Sequence, residues 1–206
     1  MELTDRIARL TSEQVEEASE MLGRAFHDNP MSVYVLPDDE ERTRHLGWMF
    51  GTSTRYGYLY GEVYTTTGKV DGVAVWLMPE SPPMSRETIT AAGMAEMPQR
   101  MGAEPYKRLM TMQARTNELR RRDVPERHWY LWVLGVEPER QGQGIGGALM
   151  QPVFARADAE GLPCYLETDK PENVPFYRKH GFEVVVEEDL PNGGCHFWTM
   201  KRPPQG

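Results

Sequence analysis

Residues 129–146, WYLWVLGVEPERQGQGIG, decide the fold of this chain. The apolar run at 129–136 predicts a buried strand, and Pro138 ends it. The glycine-rich segment QGQGIG follows at 141–146. Apolar residues then recur at helical spacing until Gly161, which predicts a helix. The stretch therefore predicts a strand, a glycine loop and a helix in direct succession.

The glycine loop is suited to hold a phosphate or a pyrophosphate. Gly142, Gly144 and Gly146 allow positive φ angles and a close approach of the backbone. At the start of a helix several backbone N–H groups lack partners, and the helix dipole adds positive potential. Arg140 can add a charge beside them. The alternative that stays open is a turn that needs glycine for its geometry alone.

Two other nucleotide motifs fit this loop less well. A Walker loop requires a Gly-Lys-Ser/Thr ending, and no Lys follows here. Gly142, Gly144 and Gly147 satisfy the spacing GxGxxG, which alone is a weak signal. Residues 139–141 separate the strand from the first glycine, and the rest of the chain is too short for several parallel strands. A dinucleotide fold is therefore disfavoured.

Gly135 interrupts an otherwise strong strand. An isolated glycine in a strand marks either a β-bulge or the close approach of another group. A bulge would separate this strand from its neighbour and free backbone donors just before the glycine loop. An extended ligand could then pair with the strand and place its phosphates on the loop.

The remaining segments predict a mixed α+β sheet whose antiparallel part comes first. Helices are expected at 11–26, from the acids at 38–41 onward, at 85–122 as a broken insert, and at 173–180. Strands are expected at 7–10, 62–67, 70–78, 164–168, 182–187 and 196–200. We expect one domain over 1–206, with a disordered tail at about 203–206.

Composition narrows the function classes. The 206 residues carry a formal net charge of −8, which argues against general nucleic-acid binding. No apolar run approaches the roughly 20 residues of a membrane span, and the start is charged throughout. Two cysteines, Cys164 and Cys195, form no disulfide framework and fit a reducing compartment. We expect a cytoplasmic protein without membrane or nucleic-acid partners.

Several segments together resemble the GNAT family of N-acetyltransferases. Residues 135–138 (GVEP) with 141–146 resemble its acetyl-CoA signature, Q/R-x-x-G-x-G/A. Residues 166–168 (LET) and 173–182 (NVPFYRKHGF) resemble its closing strand and helix. The nearest branch is the one that contains puromycin N-acetyltransferase. The resemblance implies an α/β/α-type mixed sheet with a splayed central strand pair.

The resemblance also implies an activity. Acetyl would pass from acetyl-CoA, a cosubstrate, to a primary amine of a small molecule by direct attack in a ternary complex, with antibiotics as one acceptor class. Two alternatives stay open: a protein or peptide N-acetyltransferase, and a sensor that binds acyl-CoA without turnover. A homodimer is compatible with the resemblance. The five histidines show no HExxH or other metal spacing, so no metal is expected.

The resemblance assigns roles to particular residues. Tyr177 would protonate the departing thiolate, because a phenol has a reference pKa of about 10 against about 8.5 for a thiol. Glu167, on a strand beside the expected cleft, would either accept the amine proton, directly or through water, or serve as a structural hydrogen-bonding residue. Glu137, expected in an exposed loop, is a second candidate base, and the family often uses no fixed base. The oxyanion would meet backbone N–H groups near 134–136. The predicted cofactor-binding residues are Leu134, Gly135, Val136, Arg140, Gln141, Gly142, Gln143, Gly144, Ile145, Gly146, Gly147, Asn173 and Tyr177.

The acceptor pocket is expected among the N-terminal helices and the insert. Its candidate walls, residues of a type that more often belongs to the core, are Phe26, Tyr34, Trp48, Tyr58 and Trp76. The run Arg120-Arg121-Arg122 is expected to be the solvated end of a helix, which basic residues favour through the helix dipole.

Overall fold

The computed structural model describes residues 3–191 and 193–205. They form the helices α1 (Val15–Ala25), α2 (Pro30–Val35), α3 (Asp39–Tyr60), α4 (Arg86–Ala91), α5 (Met97–Met101), α6 (Ala103–Asp123), α7 (Ile145–Glu160) and α8 (Asn173–Lys179). The strands are β1 (Ile7–Arg9), β2 (Glu62–Thr66), β3 (Gly72–Leu77), β4 (Trp129–Val136), β5 (Cys164–Thr168), β6 (Glu183–Asp189) and β7 (His196–Arg202).

Local sequence explains where the N-terminal helices begin. Thr11 and Gln14 form a capping box one turn before α1. The Asp38 side chain accepts the N–H of Glu41 at 2.9 Å and caps α3. Helix α2 has no counterpart among the predicted helices. Pro30 is its first residue, where proline's missing N–H has no cost.

The described strands form one mixed sheet in the order β1-β2-β3-β4-β5-β7-β6. Strands β1 to β4 pair antiparallel, as do β5, β7 and β6. The central pair, β4 with β5, is parallel. This arrangement confirms the predicted α+β fold with its antiparallel N-terminal part.

Helices cover both faces of the sheet. On one face α7 packs against the apolar side chains of β3 and β4, including Trp76 and Leu131. On the other face α1 packs against Val73, Val75 and Val133, and α3 packs against α1. The predicted insert forms α4 to α6, and α6 packs against α2 and β7. Two helical layers therefore enclose the sheet.

The C-terminal tail was expected to be disordered at about 203–206. Residues 203–205 form no helix or strand, but the Gln205 N–H donates to Asp158 Oδ1 at 2.8 Å. Gly206 lies outside the described residues, as does Asn192 in the predicted turn between β6 and β7.

Candidate active site

The central strands part in the middle of the sheet. Strands β4 and β5 pair from Trp129–Cys164 to Leu131–Leu166. Beyond that point β4 continues to Val136 and β5 to Thr168, but the two strands no longer pair with each other. A gap therefore opens between them, and it joins the α7 face of the sheet to the α6 face. This is the splayed pair that the sequence predicted.

A β-bulge at Trp132 accompanies the gap. The β3–β4 register moves from Val75↔Val133 to Trp76↔Leu131, which leaves Trp132 as the extra residue. Trp132 and Val133 consequently pack on the same face, with α1, although consecutive strand residues normally alternate. The bulge thus shifts the phase of β4 where it leaves β5.

Gly135 does not form the bulge. It pairs in register with Val73, and a Cβ added to it would lie 2.5 Å from Leu22 Cδ2 and 2.9 Å from Phe26 Cε2. Of the two explanations that the sequence left open, the close approach is correct. Gly135 lets α1 lie against the sheet beside the gap.

Backbone groups of β4 face the gap. The Glu137 N–H donates to Asp71 O at 2.9 Å, on the β3 side of the strand. Since N–H groups alternate along a strand, those of Val136 and Leu134 point to the other side, towards the gap. The Gln141 side chain donates to Val136 O at 3.2 Å and so covers the neighbouring carbonyl. In the described part of the chain, the β4–β5 pairing stops at Leu131, so β5 does not cover the N–H groups of 134 and 136.

The glycine loop is open to solvent. Gly142 and Gly144 have φ angles of 74° and 83°, which require glycine, and a Cβ on Gly142 would meet nothing within 4 Å. Residues 141–144 are exposed, and Gly144 is the N-cap of the 16-residue helix α7. The first turn of α7 carries no acidic residue. The first N–H groups of α7 have no acceptor within the helix, so the geometry and the helix dipole suit an anion at this place.

Two charged residues near this loop are held by partners. Glu137, expected in an exposed loop, is buried: it pairs with Arg24 of α1, with Nη2 2.7 Å from Oε2. This pairing lowers the pKa of Glu137, so it is a structural carboxylate and a poor base. The Arg140 guanidinium is half exposed and lies 3.5 Å from Asp71 Oδ2, so its charge is shared with that buried carboxylate.

Helix α8 lines the gap from the α7 face. Tyr177 is buried, and among the described residues its hydroxyl has no hydrogen-bond partner. Burial raises the pKa of Tyr177 above its usual range, so the phenol stays protonated. The Asn173 amide, one turn earlier, donates to Thr168 Oγ1 at 3.0 Å. Phe176 lies 3.3 Å from a Cβ built on Gly146, which explains why that position needs a small residue.

Glu167 lines the gap from the α6 face. The Tyr130 hydroxyl donates to Glu167 Oε2 at 2.8 Å, while Oε1 is buried and has no partner among the described residues. Burial raises the pKa of Glu167 to about 7, although the nearby Arg120 and the Tyr130 hydrogen bond oppose the shift. A carboxyl group with a pKa near neutrality and a free oxygen can act as a general base.

Arg120 supports this carboxylate indirectly. Its guanidinium carbon lies 3.9 Å from the centre of the Tyr130 ring, a cation–π contact, and its Nη2 donates to Asn117 Oδ1 at 2.7 Å. The prediction that residues 120–122 are a solvated helix end is therefore wrong for Arg120, which lines the cavity described next. Arg121 and Arg122 are exposed.

A cavity of about 220 Å³ connects these groups. Helices α2, α3, α5 and α6 surround it on one side together with Phe26, the residue after α1. Strands β4 and β5 form its floor, and Asn173 and Tyr177 close it. Asp169 fixes its rim, since its two oxygens accept the Asn29 amide at 3.0 Å and the Met31 N–H at 2.7 Å. These bonds tie the start of α2 to the end of β5.

Of the five aromatic residues expected as cavity walls, Phe26 lines the cavity and the other four do not. Phe26 lines the cavity, where it stacks on Phe50 with ring centres 4.5 Å apart. Trp76 is wholly buried in the core beneath α7 and Tyr58 is exposed, so neither forms a wall. Tyr34 and Trp48 pack in the cluster between α2, α3 and the insert, behind the lining.

Sequence patterns missed Tyr130, Arg120 and Asp169. Tyr130 lies two residues before the bulge, in a strand whose alternation predicts only burial. Arg120 belongs to a basic run at the end of α6, and such a run is typical of a solvent-exposed helix end. Asp169 follows the predicted strand directly, and its position after Thr168 was the one local signal available.

Outside this site, His27, Asp28 and Asp39 place ligand-type atoms within 4.8 Å of one another. Both ring nitrogens of His27 already bond, to Asp28 Oδ1 at 2.9 Å and Thr43 Oγ1 at 3.1 Å. Among the described residues, no helix is both long enough and apolar enough to cross a membrane.

Comparison with known proteins agrees with this geometry. Residues 99–182 match the acetyltransferase (GNAT) family. An uncharacterized N-acetyltransferase of Schizosaccharomyces pombe is 26% identical over 181 residues, which cover 84% of this chain and 72% of the relative.

Solved structures share the fold over nearly the whole chain. A Corynebacterium glutamicum structure described as histone acetyltransferase HPA2 and related acetyltransferase superposes with a TM-score of 0.69 at 20% identity, over 98% of this chain and 97% of that one. Arylalkylamine N-acetyltransferase 2 of Aedes aegypti gives a TM-score of 0.64 at 15% identity, over 97% and 99%. The family match over residues 99–182 identifies an acetyltransferase (GNAT) domain in this chain, and the solved structures show that its fold is shared over nearly the whole length.

Proposed function

We propose that this acetyltransferase transfers acetyl from acetyl-CoA to a primary amine of a small molecule. The observation that carries the proposal is the gap between β4 and β5, which has a protonated phenol on one face and a carboxylate with a free oxygen on the other. GNAT enzymes use acetyl-CoA, and the open glycine loop, the N–H groups of 134 and 136 and the residues of α8 fit its extended shape.

The two reactants would approach the gap from opposite faces of the sheet. The pantetheine arm would lie along β4 on the α7 face and bring the thioester to the Tyr177 hydroxyl. The amine would enter from the α6 face and reach Glu167 Oε1. Attack across the gap then needs no covalent enzyme intermediate, which is direct transfer in a ternary complex.

Each residue would handle a defined proton. Glu167 removes a proton from the ammonium, which frees the nitrogen lone pair to attack the thioester carbonyl. The N–H of residue 134 or 136 stabilises the oxyanion. As the C–S bond breaks, Tyr177 donates its proton to the sulfur and the nitrogen releases its second proton to water. Glu167 then loses its proton to solvent and Tyr177 regains one from it. The products are an acetamide and free CoA.

The cavity argues for a small acceptor. Its volume of about 220 Å³ is below the roughly 300–1,000 Å³ of drug-sized sites, and α6 encloses it. A protein or peptide acceptor would need an open groove. Among the similar structures, two bear the name arylalkylamine N-acetyltransferase and two others the names agmatine and polyamine N-acetyltransferase, and all of these names favour a small amine. An antibiotic acceptor remains a prediction from the sequence resemblance.

The test is release of free thiol from acetyl-CoA with a panel of amines that includes arylalkylamines, diamines and puromycin. We expect amine-dependent release with at least one small amine and none with lysine-containing peptides. Tight acetyl-CoA binding without release for any amine would overturn the proposal in favour of a sensor.

A further inference from the structure

Charged side chains are few in the lining of the proposed acceptor cavity, whose other residues are apolar or uncharged. Of the residues lining it, the carboxylates are Glu167 and Asp169, and the one basic residue is Arg120. Asp169 has both oxygens occupied, by Asn29 and Met31. Glu167 Oε1 is thus the one carboxylate oxygen of the described lining without a partner.

The opposite end of the cavity is apolar. The side chains there come from α2, α3, α5 and α6, and they include Val35, Leu46, Met49, Phe50, Met97 and Leu109. These residues belong to one packed cluster together with other methionines of the insert. Methionine side chains adapt to different apolar shapes, so this end can accept aliphatic or aromatic groups.

We infer that the acceptors are amines with one cationic group and an apolar body, and that the cavity rejects a second cationic group. This inference rests on the proposed function and narrows it to a substrate class. The reacting ammonium pairs with Glu167, whereas a second ammonium would lie among methionine and leucine side chains without a counter-charge. Burying an unpaired charge is costly, so a diamine would bind and react poorly.

Arg120 contributes to this selection. Its guanidinium lies on the Tyr130 ring close to Glu167, on the same side of the cavity as the carboxylate. A second cation near that end would meet like charge, and one at the far end would meet apolar groups. Neither position offers a diamine a compensating partner.

Hexylamine and 1,6-diaminohexane provide a matched pair, because they differ only by the distal ammonium. We expect kcat/KM for hexylamine and 2-phenylethylamine to exceed that for 1,6-diaminohexane by at least tenfold with the intact chain. Equal or greater kcat/KM for the diamine would overturn the inference, while the proposed function would stand.

A designed variant tests the cause. Gln113 of α6 lines the cavity about 10 Å along the helix from Arg120. Gln113→Glu adds a carboxylate at nearly constant size, so activity with 1,6-diaminohexane should rise at least fivefold while that with hexylamine falls. Gln99→Glu, an exposed change in α5 with the same charge, is the control and should alter neither. A diamine response to Gln99→Glu equal to that of Gln113→Glu would mean that net charge, not the cavity, decides.

Binding measurements test the amine selectivity independently of acetyl transfer. Calorimetry of hexylamine and 1,6-diaminohexane in the presence of CoA measures selectivity without turnover. If no amine releases thiol, the proposed function fails. Even then, equal affinity for the two amines contradicts the inference, and at least tenfold preference for hexylamine supports it.

Discussion

The Tyr130 hydroxyl donates to Glu167 Oε2 at 2.8 Å and leaves Oε1 free in the acceptor cavity. The two residues come from neighbouring strands, β4 and β5, close to where these strands part. The hydrogen bond favours the ionised carboxylate and so opposes the upward shift that burial imposes on the pKa of Glu167. Tyr130 is therefore a positioning residue that tunes the proposed base.

Tyr130→Phe should move the acidic limb of the pH profile to higher pH. The substitution keeps the ring beneath Arg120 but removes the hydrogen bond that lowers the pKa of Glu167, so this pKa rises further. The measurement is kcat/KM against pH with a saturating level of acetyl-CoA. Tyr58→Phe, an exposed position in α3, is the control. If the acidic limb of Tyr130→Phe did not move, Glu167 would not be the base whose ionisation controls the rate.

Glu167→Gln should lower activity and raise stability. The amide cannot accept the proton, so kcat should fall by about 10²–10⁴-fold, the usual contribution of a general base. The variant should also lose the acidic limb near pH 7. Glu183→Gln, an exposed change on β6, should alter neither property. Retained activity with an unchanged pH profile would exclude Glu167 as the base.

The stability change in Glu167→Gln has a defined pH dependence. Because the folded-state pKa of about 7 lies above the ordinary 4.5, the folded protein holds this proton more tightly than the unfolded chain. Ionisation therefore costs stability progressively between pH 4.5 and 7, by at most about 3 kcal/mol. Thermal unfolding should show no gain for the variant at pH 4 and the full gain at pH 8. A gain that does not grow with pH would contradict the raised pKa.

Tyr177→Phe should reduce kcat while acetyl-CoA affinity barely changes. The hydroxyl has no partner among the described residues, so its removal leaves no buried group unsatisfied, and the fold should be retained. Calorimetric titration with acetyl-CoA, beside single-turnover thiol release, separates binding from chemistry. Loss of affinity equal to the loss of rate would show that Tyr177 acts in binding alone.

The strand, the glycine loop and the helix after it could be predicted from sequence because their signals are local. Glycines, Pro138 and the helical spacing of α7 all lie within about 30 residues, and the splayed pair followed from the family resemblance. The contacts that surround the site, in contrast, have no local signal in the sequence. The ion pair of Glu137 with Arg24 and the cation–π contact of Tyr130 with Arg120 join elements that are distant in sequence. Local sequence patterns cannot predict such contacts. For the same reason Glu137 was expected in a loop and Arg120 in solvent.

Gly142→Ala should weaken acetyl-CoA binding at little structural cost. The position has φ 74° and open space around a Cβ, so alanine costs about 1 kcal/mol of backbone strain. A methyl group at the open loop would obstruct the approach of a diphosphate, and we expect about tenfold weaker binding. Gly161→Ala shares the positive φ (66°) and the open space but lies at the other end of α7, so it is a matched control. Equal affinity in the two variants would place the diphosphate elsewhere.

Gly135→Ala should destabilise the protein by forcing α1 away from the sheet. Its Cβ would lie 2.5 Å from Leu22 Cδ2, and such overpacking costs about 1–3 kcal/mol. Chemical denaturation measures this loss, and Gly47→Ala, whose Cβ would meet its nearest atom at 3.7 Å, is the control on the α1–α3 contact.

A double-mutant cycle with Leu22→Ala decides whether that contact is the reason for glycine at 135. Leu22→Ala alone should cost about 2–5 kcal/mol, because the side chain is fully buried. The double variant should cost less than the sum, since the new methyl group occupies part of the space that Leu22 leaves. Strict additivity would mean that Gly135 serves another purpose. Because Phe26, which directly follows α1, lines the cavity and lies 2.9 Å from the added Cβ, the single variant Gly135→Ala should also raise KM for the amine more than KM for acetyl-CoA.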